Sequence, residues 1–218
     1  MHIDWKRYRS FVYGTWEPKL MQVVTDIVKE GMTVIDVGAH IGYYSLFFAK
    51  RVGPTGRIFS FEPVPENFEL LRKNVLLNQI SWIQTFPNAV YSCAKDISLF
   101  VPEESANPGE GSVIQDRGTR QILAHAVALD SFCSSANIQP DVIKLDVEGA
   151  ELDVLLGART TIERYSPKLL IELHHFDGNV AGHPVPGLLM GQGYQVHWIE
   201  RCQWNSHILA TRGGVSPQ

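Results

Sequence analysis

The segment that most limits the fold is Thr33-Val34-Ile35-Asp36-Val37, followed at once by Gly38-Ala39-His40-Ile41-Gly42. A β-branched apolar run stops at a glycine-rich turn, and Tyr43 to Val52, long enough for a helix, closes at Gly53-Pro54. Strand followed by helix is the first half of a crossover to a parallel neighbour. The unit recurs: Arg57 to Phe61 reads as a second strand and Glu66 to Asn78 as its helix, with Phe68, Leu71 and Val75 on one face. Ile83 to Phe86, Val142 to Leu145 and Lys168 to Leu173 read as three more strands, with a helix from about Ala150 to Tyr165. Ahead of them Leu20, Val23, Val24, Ile27 and Val28 trace a helical face between Pro18 and Gly31. Such alternation predicts an α/β chain with a doubly wound, mostly parallel sheet. It fails between residues 91 and 131, where Ile97 to Val101 and Ile122 to Val127 read as an inserted β segment flanking the polar stretch 103–119. Tyr194 to Ile199 and His207 to Thr211 predict a C-terminal antiparallel hairpin.

Composition narrows the function. With 218 residues, 44% apolar and 19% charged, the chain has material for a core and is expected to form one domain, 1–218, with 1–17 as an N-terminal extension. Lys and Arg number 19 against 23 Asp and Glu, a net charge of −4, so there is no basic excess to neutralise a phosphate backbone and no nucleic-acid partner is expected. The longest uncharged apolar stretch, Val37 to Ala49, is shorter than the ~20 residues of a membrane span. The first residues do not read as a secretory signal. Three separated cysteines, Cys93, Cys133 and Cys202, suit a reducing compartment, and a cytoplasmic protein without membrane association is expected.

In a doubly wound sheet, ligands bind beyond the carboxyl ends of the strands, where the first strand turns into its helix. Glycines there let the backbone turn sharply and approach a ligand. Glu62 closes the second strand, where an acid accepts hydrogen bonds from the ribose hydroxyls of an adenosine-type ligand. A dinucleotide fingerprint would need a second glycine where His40 stands, and that side chain would crowd a pyrophosphate. It would not obstruct a ligand with an amino-acid tail, such as S-adenosylmethionine. The alternatives are a nicotinamide-dependent oxidoreductase and a turn that binds nothing.

The residues Val34 to Ser45, Phe61-Glu62-Pro63, Asn88-Ala89, Ala128-Leu129-Asp130, Ile143 to Glu151 and Leu170 to His174 occur in one order along most of the chain. In this the sequence resembles FkbM-type methyltransferases of the class I S-adenosylmethionine-dependent family. It departs at His40, where the family usually has Asn. The resemblance implies a seven-stranded, Rossmann-like class I sheet, S-adenosylmethionine as cofactor, and methyl transfer most often to a hydroxyl oxygen. It places Asp36, Gly38 and Ala39 around the methionine portion, with His40, Gly42 and Tyr43 completing the turn. Glu62 with Pro63 would hold the ribose, Asn88 with Ala89 the adenine, and Asp146 would end the fourth strand beside the sulfonium.

A hydroxyl acceptor must lose a proton, so a base is expected near the reacting atoms. Lys144, Asp146, Glu148 and Glu151 crowd one strand end, and Glu172 with His174 the next. Asp146, Glu172 and His174 are the catalytic candidates, His174 as general base because an unperturbed imidazole titrates near ~6.5. Lys144 could instead form a buried structural pair, for instance with Glu172, and Glu148 could cap the following helix. Asp146, Glu172 and a histidine match no recognised metal-ligand spacing, so no metal is expected. Glu17 either reaches the methionine amino group or simply begins the first helix. The loop 103–119 is long enough for a lid over the acceptor. Tyr43, Tyr44, Phe47 and Phe48 fall at helical spacing and suit a core, and the remaining histidines, among them His183 and His207, are expected at the surface or satisfied in the core. The acceptor is expected to be a small metabolite, a sugar or a polyketide-like molecule, with a carboxyl acceptor as the alternative.

Overall fold

The computed structural model describes residues 16–101, 120–175 and 179–213. Most of the N-terminal extension and the 103–119 loop lie outside the described residues.

Helix α1 (Pro18–Ile27) precedes strand β1 (Thr33–Val37), then α2 (Tyr43–Val52), β2 (Arg57–Phe61), α3 (Pro65–Leu77) and β3 (Ile83–Phe86). β4 (Ala89–Val90), β5 (Lys95–Val101) and β6 (Arg120–Val127) follow, then α4 (Leu129–Ser135), β7 (Val142–Leu145), α5 (Glu151–Leu156), α6 (Arg159–Tyr165) and β8 (Lys168–His174). A 3₁₀ turn at Val180–Gly182, helix α7 (Pro184–Gly191) and the hairpin β9 (Gln195–Arg201) and β10 (Asn205–Thr211) complete the described chain.

The main sheet has seven strands in the order β3-β2-β1-β7-β8-β10-β9, parallel except where β10 runs against β8 and β9. The expected sheet and terminal hairpin are both present. The strand order reverses between β1 and β7, so the crevice beyond their carboxyl ends is where such a sheet binds ligands. Register then decides which side chains share that crevice. Asp36 stands opposite both Ser60 and Lys144, and His207 stands opposite Glu172. Both faces of the sheet are covered. Ile35, Phe59, Ile143, Leu169 and Ile208 pack in one cluster, while Val34, Ile58, Val142, Leu170 and Leu209 pack with α1 and α2 in another. That double coverage is why these strands read as unbroken apolar runs.

The inserted segment forms a sheet of its own, β4-β6-β5, which takes in the two residues of β4 as well as the two expected strands. The helix expected from Ala150 to Tyr165 is two helices, α5 and α6, broken around Gly157. The physical reason is the inserted segment: a Cβ on Gly157 would lie 2.2 Å from the Tyr91 carbonyl oxygen, so the backbones touch there. No helix among the described residues is long and apolar enough to cross a membrane.

Candidate active site

The turn after β1 is built mainly from backbone hydrogen bonds. The Gly38 and Ala39 N–H groups both donate to the Phe61 carbonyl at the end of β2, at 3.0 and 2.9 Å. Gly38 has φ +75°, and a Cβ there would sit 1.7 Å from the Asp146 carbonyl oxygen. At Gly42, with φ +91°, a Cβ would meet the Leu71 side chain at 2.7 Å. Both glycines are therefore required by close approach of the protein to itself. From α3, the buried Asn74 amide donates to the Ile41 carbonyl at 2.8 Å and clamps the turn from outside. Tyr43 starts α2 half-buried, edge-on to Tyr44.

Glu62 is buried just past β2, where its carboxylate accepts the His40 N–H at 2.8 Å and the Val64 N–H, across Pro63, at 3.0 Å. Burial pushes its carboxyl up to about 7, against the opposing pull of those N–H donors. Asn67 donates to it as well, so the carboxylate already holds three hydrogen bonds out of the roughly four its lone pairs allow. Asn88 donates to the His125 carbonyl at 3.2 Å and Ala89 is buried in β4, so both sit where the chain leaves the main sheet for the inserted one.

Asp36 lies beneath the turn. Its side chain is fully buried, accepts from the Ser45 hydroxyl at 2.6 Å and faces the Lys144 ammonium at 3.5 Å. It acts on the turn only through Lys144, whose Nζ donates to the Gly38 carbonyl at 3.0 Å. Burial raises the Asp36 carboxyl despite Lys144 and Ser45. Lys144 pairs with Asp36 and Asp146 rather than with Glu172, because register sets it opposite Asp36 and Asp146 follows two residues on. Burial would strip its proton, but those carboxylates, with Glu172 and Glu17, hold it above the ordinary lysine range. A buried ammonium is tolerable only with such partners.

The ends of β7 and β8 carry the densest charge. The Asp146 side chain is 30% exposed and lies 3.4 Å from Lys144. Burial works to raise its carboxyl, yet Lys144, His174 and His207 outweigh it and hold Asp146 ionised. His174 lies 2.7 Å from Glu151, 3.3 Å from Glu148 and 3.7 Å from Glu172. Burial would lower its pKa, but these carboxylates push it up to about 10. These carboxylates favour the imidazolium, which weighs against the expected role of His174 as general base. Glu148 does not cap α5. It has φ +51° and turns to His174, while Glu151 accepts the Gly149 N–H at 2.9 Å. The structure thus brings Asp146, Glu172 and His174 into one cluster.

A third side of the cluster comes from farther away. Glu17 has φ +44° and makes no cap hydrogen bond; it accepts a short bond from the Tyr44 hydroxyl and lies 3.5 Å from His207. Tyr44 is buried, with the Lys144 ammonium 5.2 Å from its ring centroid. His207 was expected to be incidental. It is instead buried between Glu17 and Glu172, which overcome burial and lift its pKa to about 10. Only hairpin register against β8 could have revealed it.

A family described as the methyltransferase FkbM domain matches residues 36–196. The chain belongs to the FkbM methyltransferase family. "Methyltransferase 1" of Beauveria bassiana (strain ARSEF 2860) is 27% identical, the match covering 78% of this chain and 75% of that one. "2-O-methyltransferase NoeI" of Sinorhizobium fredii (strain NBRC 101917 / NGR234) is 25% identical over 73% and 72% of the two chains. Among solved structures, methyltransferase FkbM from Methylobacillus flagellatus KT superposes with a TM-score of 0.60 at 18% identity, covering 95% of this chain. This chain spans 55% of that one. Aeropyrum pernix fibrillarin, a structure with natively bound S-adenosyl-L-methionine, gives a TM-score of 0.56 at 16% identity, covering 85% of this chain and 68% of that one. The FkbM methyltransferase sheet described above is thus the class I, Rossmann-like fold, and neighbours of that fold bind S-adenosylmethionine.

Proposed function

We propose that the chain is an S-adenosylmethionine-dependent O-methyltransferase acting on a hydroxyl of a small metabolite, sugar or polyketide-like acceptor. The observation that carries the reading is the Asp146 carboxylate, held ionised by Lys144 and partly open at the end of β7, within reach of the His174 imidazolium. The name of the 2-O-methyltransferase relative supports an oxygen acceptor. Membership of a methyltransferase family weighs against the nicotinamide alternative.

The residues fit the cofactor. Glu62 closes β2 at the crevice, where a carboxylate with acceptor capacity beyond its three donors can take a ribose hydroxyl. The turn from Gly38 to Tyr43 adjoins the crevice, with Pro63, Asn88 and Ala89 completing the adenosine side. When bound, the cofactor supplies an electrophilic methyl group. The protein's part is to hold the acceptor oxygen in line and to take its proton, and alignment of this kind contributes ~7–11 kcal/mol in favourable cases. Asp146 accepts the hydroxyl proton. His174, already cationic, stabilises the negative charge that develops on the acceptor oxygen.

Calorimetric titration with S-adenosylhomocysteine and, separately, with NAD tests the cofactor; saturable binding of the first alone is expected, and binding of NAD alone refutes the reading. A panel of hydroxyl and carboxylate acceptors scored for radiolabelled methyl incorporation then tests the acceptor. Label confined to carboxylates would replace the hydroxyl assignment with methyl-ester formation.

A further inference from the structure

We propose that Glu17, Glu172 and His207 form a binding site for one divalent transition-metal ion. The three come from the start of α1, from β8 and from β10, and no spacing along the chain announces them. His207 Nε2 lies 3.5 Å from Glu17 Oε1 and 3.4 Å from Glu172 Oε2, and these ligand atoms all fall within 4.8 Å of one another. His207 is 5% exposed, and its Nε2 is buried with a hydrogen bond to neither carboxylate.

The distances discriminate between two readings. A charge-assisted hydrogen bond would draw nitrogen and oxygen to about 2.7–2.9 Å. Ligands about 2.1 Å from a shared tetrahedral ion stand roughly 3.4 Å apart. The observed separations match the second. The remaining oxygens of both carboxylates are already engaged from outside, Glu17 Oε2 by the Tyr44 hydroxyl and Glu172 Oε1 by the Asn205 amide at 2.7 Å. Outer donors of this kind orient ligating carboxylates and leave the inner oxygens facing the ion. Two carboxylate oxygens with one imidazole nitrogen suit Mn²⁺, Fe²⁺ or Zn²⁺ better than the all-oxygen ions Mg²⁺ and Ca²⁺. A second group, Asp146, Glu148 and His174, also places its ligand atoms within 4.8 Å. There His174 Nδ1 is held by Glu151 at 2.7 Å while its Nε2 faces Glu148 at 3.3 Å, so the test is built to tell the two groups apart. An ion at the first set takes the place of the proton that His207 carries between the two carboxylates, releasing it to solvent, and clasps the start of α1 to the sheet.

The test is Mn²⁺ titration of the chelator-treated full chain, followed by electron paramagnetic resonance, with Zn²⁺ as competitor. One ion per chain and an upward shift in melting temperature are expected. His207→Ala and Glu17→Gln should each weaken binding at least ~10-fold, the scale seen even for the outer partners of metal ligands. Glu17→Gln keeps the experiment decisive if the histidine variant does not fold. No saturable binding at millimolar Mn²⁺ would overturn the inference. So would an ion that survives Glu17→Gln but is lost in Asp146→Asn or Glu148→Gln, since that places it at the other group.

Discussion

The two banks of the crevice are made from different materials. On the β1–β2 bank, geometry is set mainly by backbone: the Gly38, Ala39 and His40 N–H groups and the carbonyls of Phe61 and Ile41. On the β7–β8–β10 bank it is set by side chains of opposite charge, Lys144, His174 and His207 among Asp146, Glu148, Glu151, Glu172 and Glu17. A backbone scaffold tolerates changes of side chain, at His40 for instance, because the donor is the peptide group. A scaffold of ion pairs does not, since removing one partner strands another charge away from water. The first bank should fail mainly in binding, the second in turnover.

The sharpest break in that division is Asp146→Asn. Loss of a positioned base is expected to cut kcat by ~10²–10⁴-fold, with affinity for S-adenosylhomocysteine little changed; calorimetry and initial rates on the same sample check both, and full activity would remove Asp146 from the chemistry. Next comes Gly38→Ala, where the two banks touch. Left-handed backbone alone costs a non-glycine residue roughly 1–2 kcal/mol, and collision with the Asp146 carbonyl adds to it, so the urea midpoint should fall clearly. An unchanged midpoint would mean that the close contact does not exist. Glu62→Gln should weaken S-adenosylhomocysteine binding by ~10–100-fold, the worth of charge-assisted hydrogen bonds, while turnover at saturating cofactor holds.

The smallest effect is the pH dependence of that same binding. A ribose diol donates to the ionised carboxylate, so binding favours the charged form of Glu62. With its carboxyl at about 7, affinity should rise as pH rises through 7 and level off above it, and the dependence should vanish in Glu62→Gln. Without ligand the sign reverses. The folded chain holds this proton more tightly than the unfolded one, so the Glu62 contribution to stability declines as pH rises from the ordinary 4.5 toward 7.

What could be read from the sequence follows the same line. The β1 turn, Glu62 and the order of strands are signalled locally, by glycines, β-branched runs and helical periodicity over a few neighbours. Asp146, Glu172 and His174 could be named because each closes a strand. Their states could not: whether His174 is neutral depends on Glu151 and Glu148, which reach it only through the turn before α5. His207 was missed because its partner Glu172 is set by antiparallel register across a hairpin. Asn74 was hidden on a helix face that looked merely apolar. The break at Gly157 depends on contact with Tyr91, in a different segment of the chain.

Lys144 and Asp36, paired across adjacent parallel strands, carry a consequence for how such chains diverge. Either one alone is hard to exchange for an apolar residue, since its counterpart would be marooned in the sheet, whereas exchanging both at once strands neither and leaves only the Gly38 carbonyl and Asp146 to find new partners. Descendants should therefore retain the couple or discard it whole, and a lineage stopped halfway should be rare.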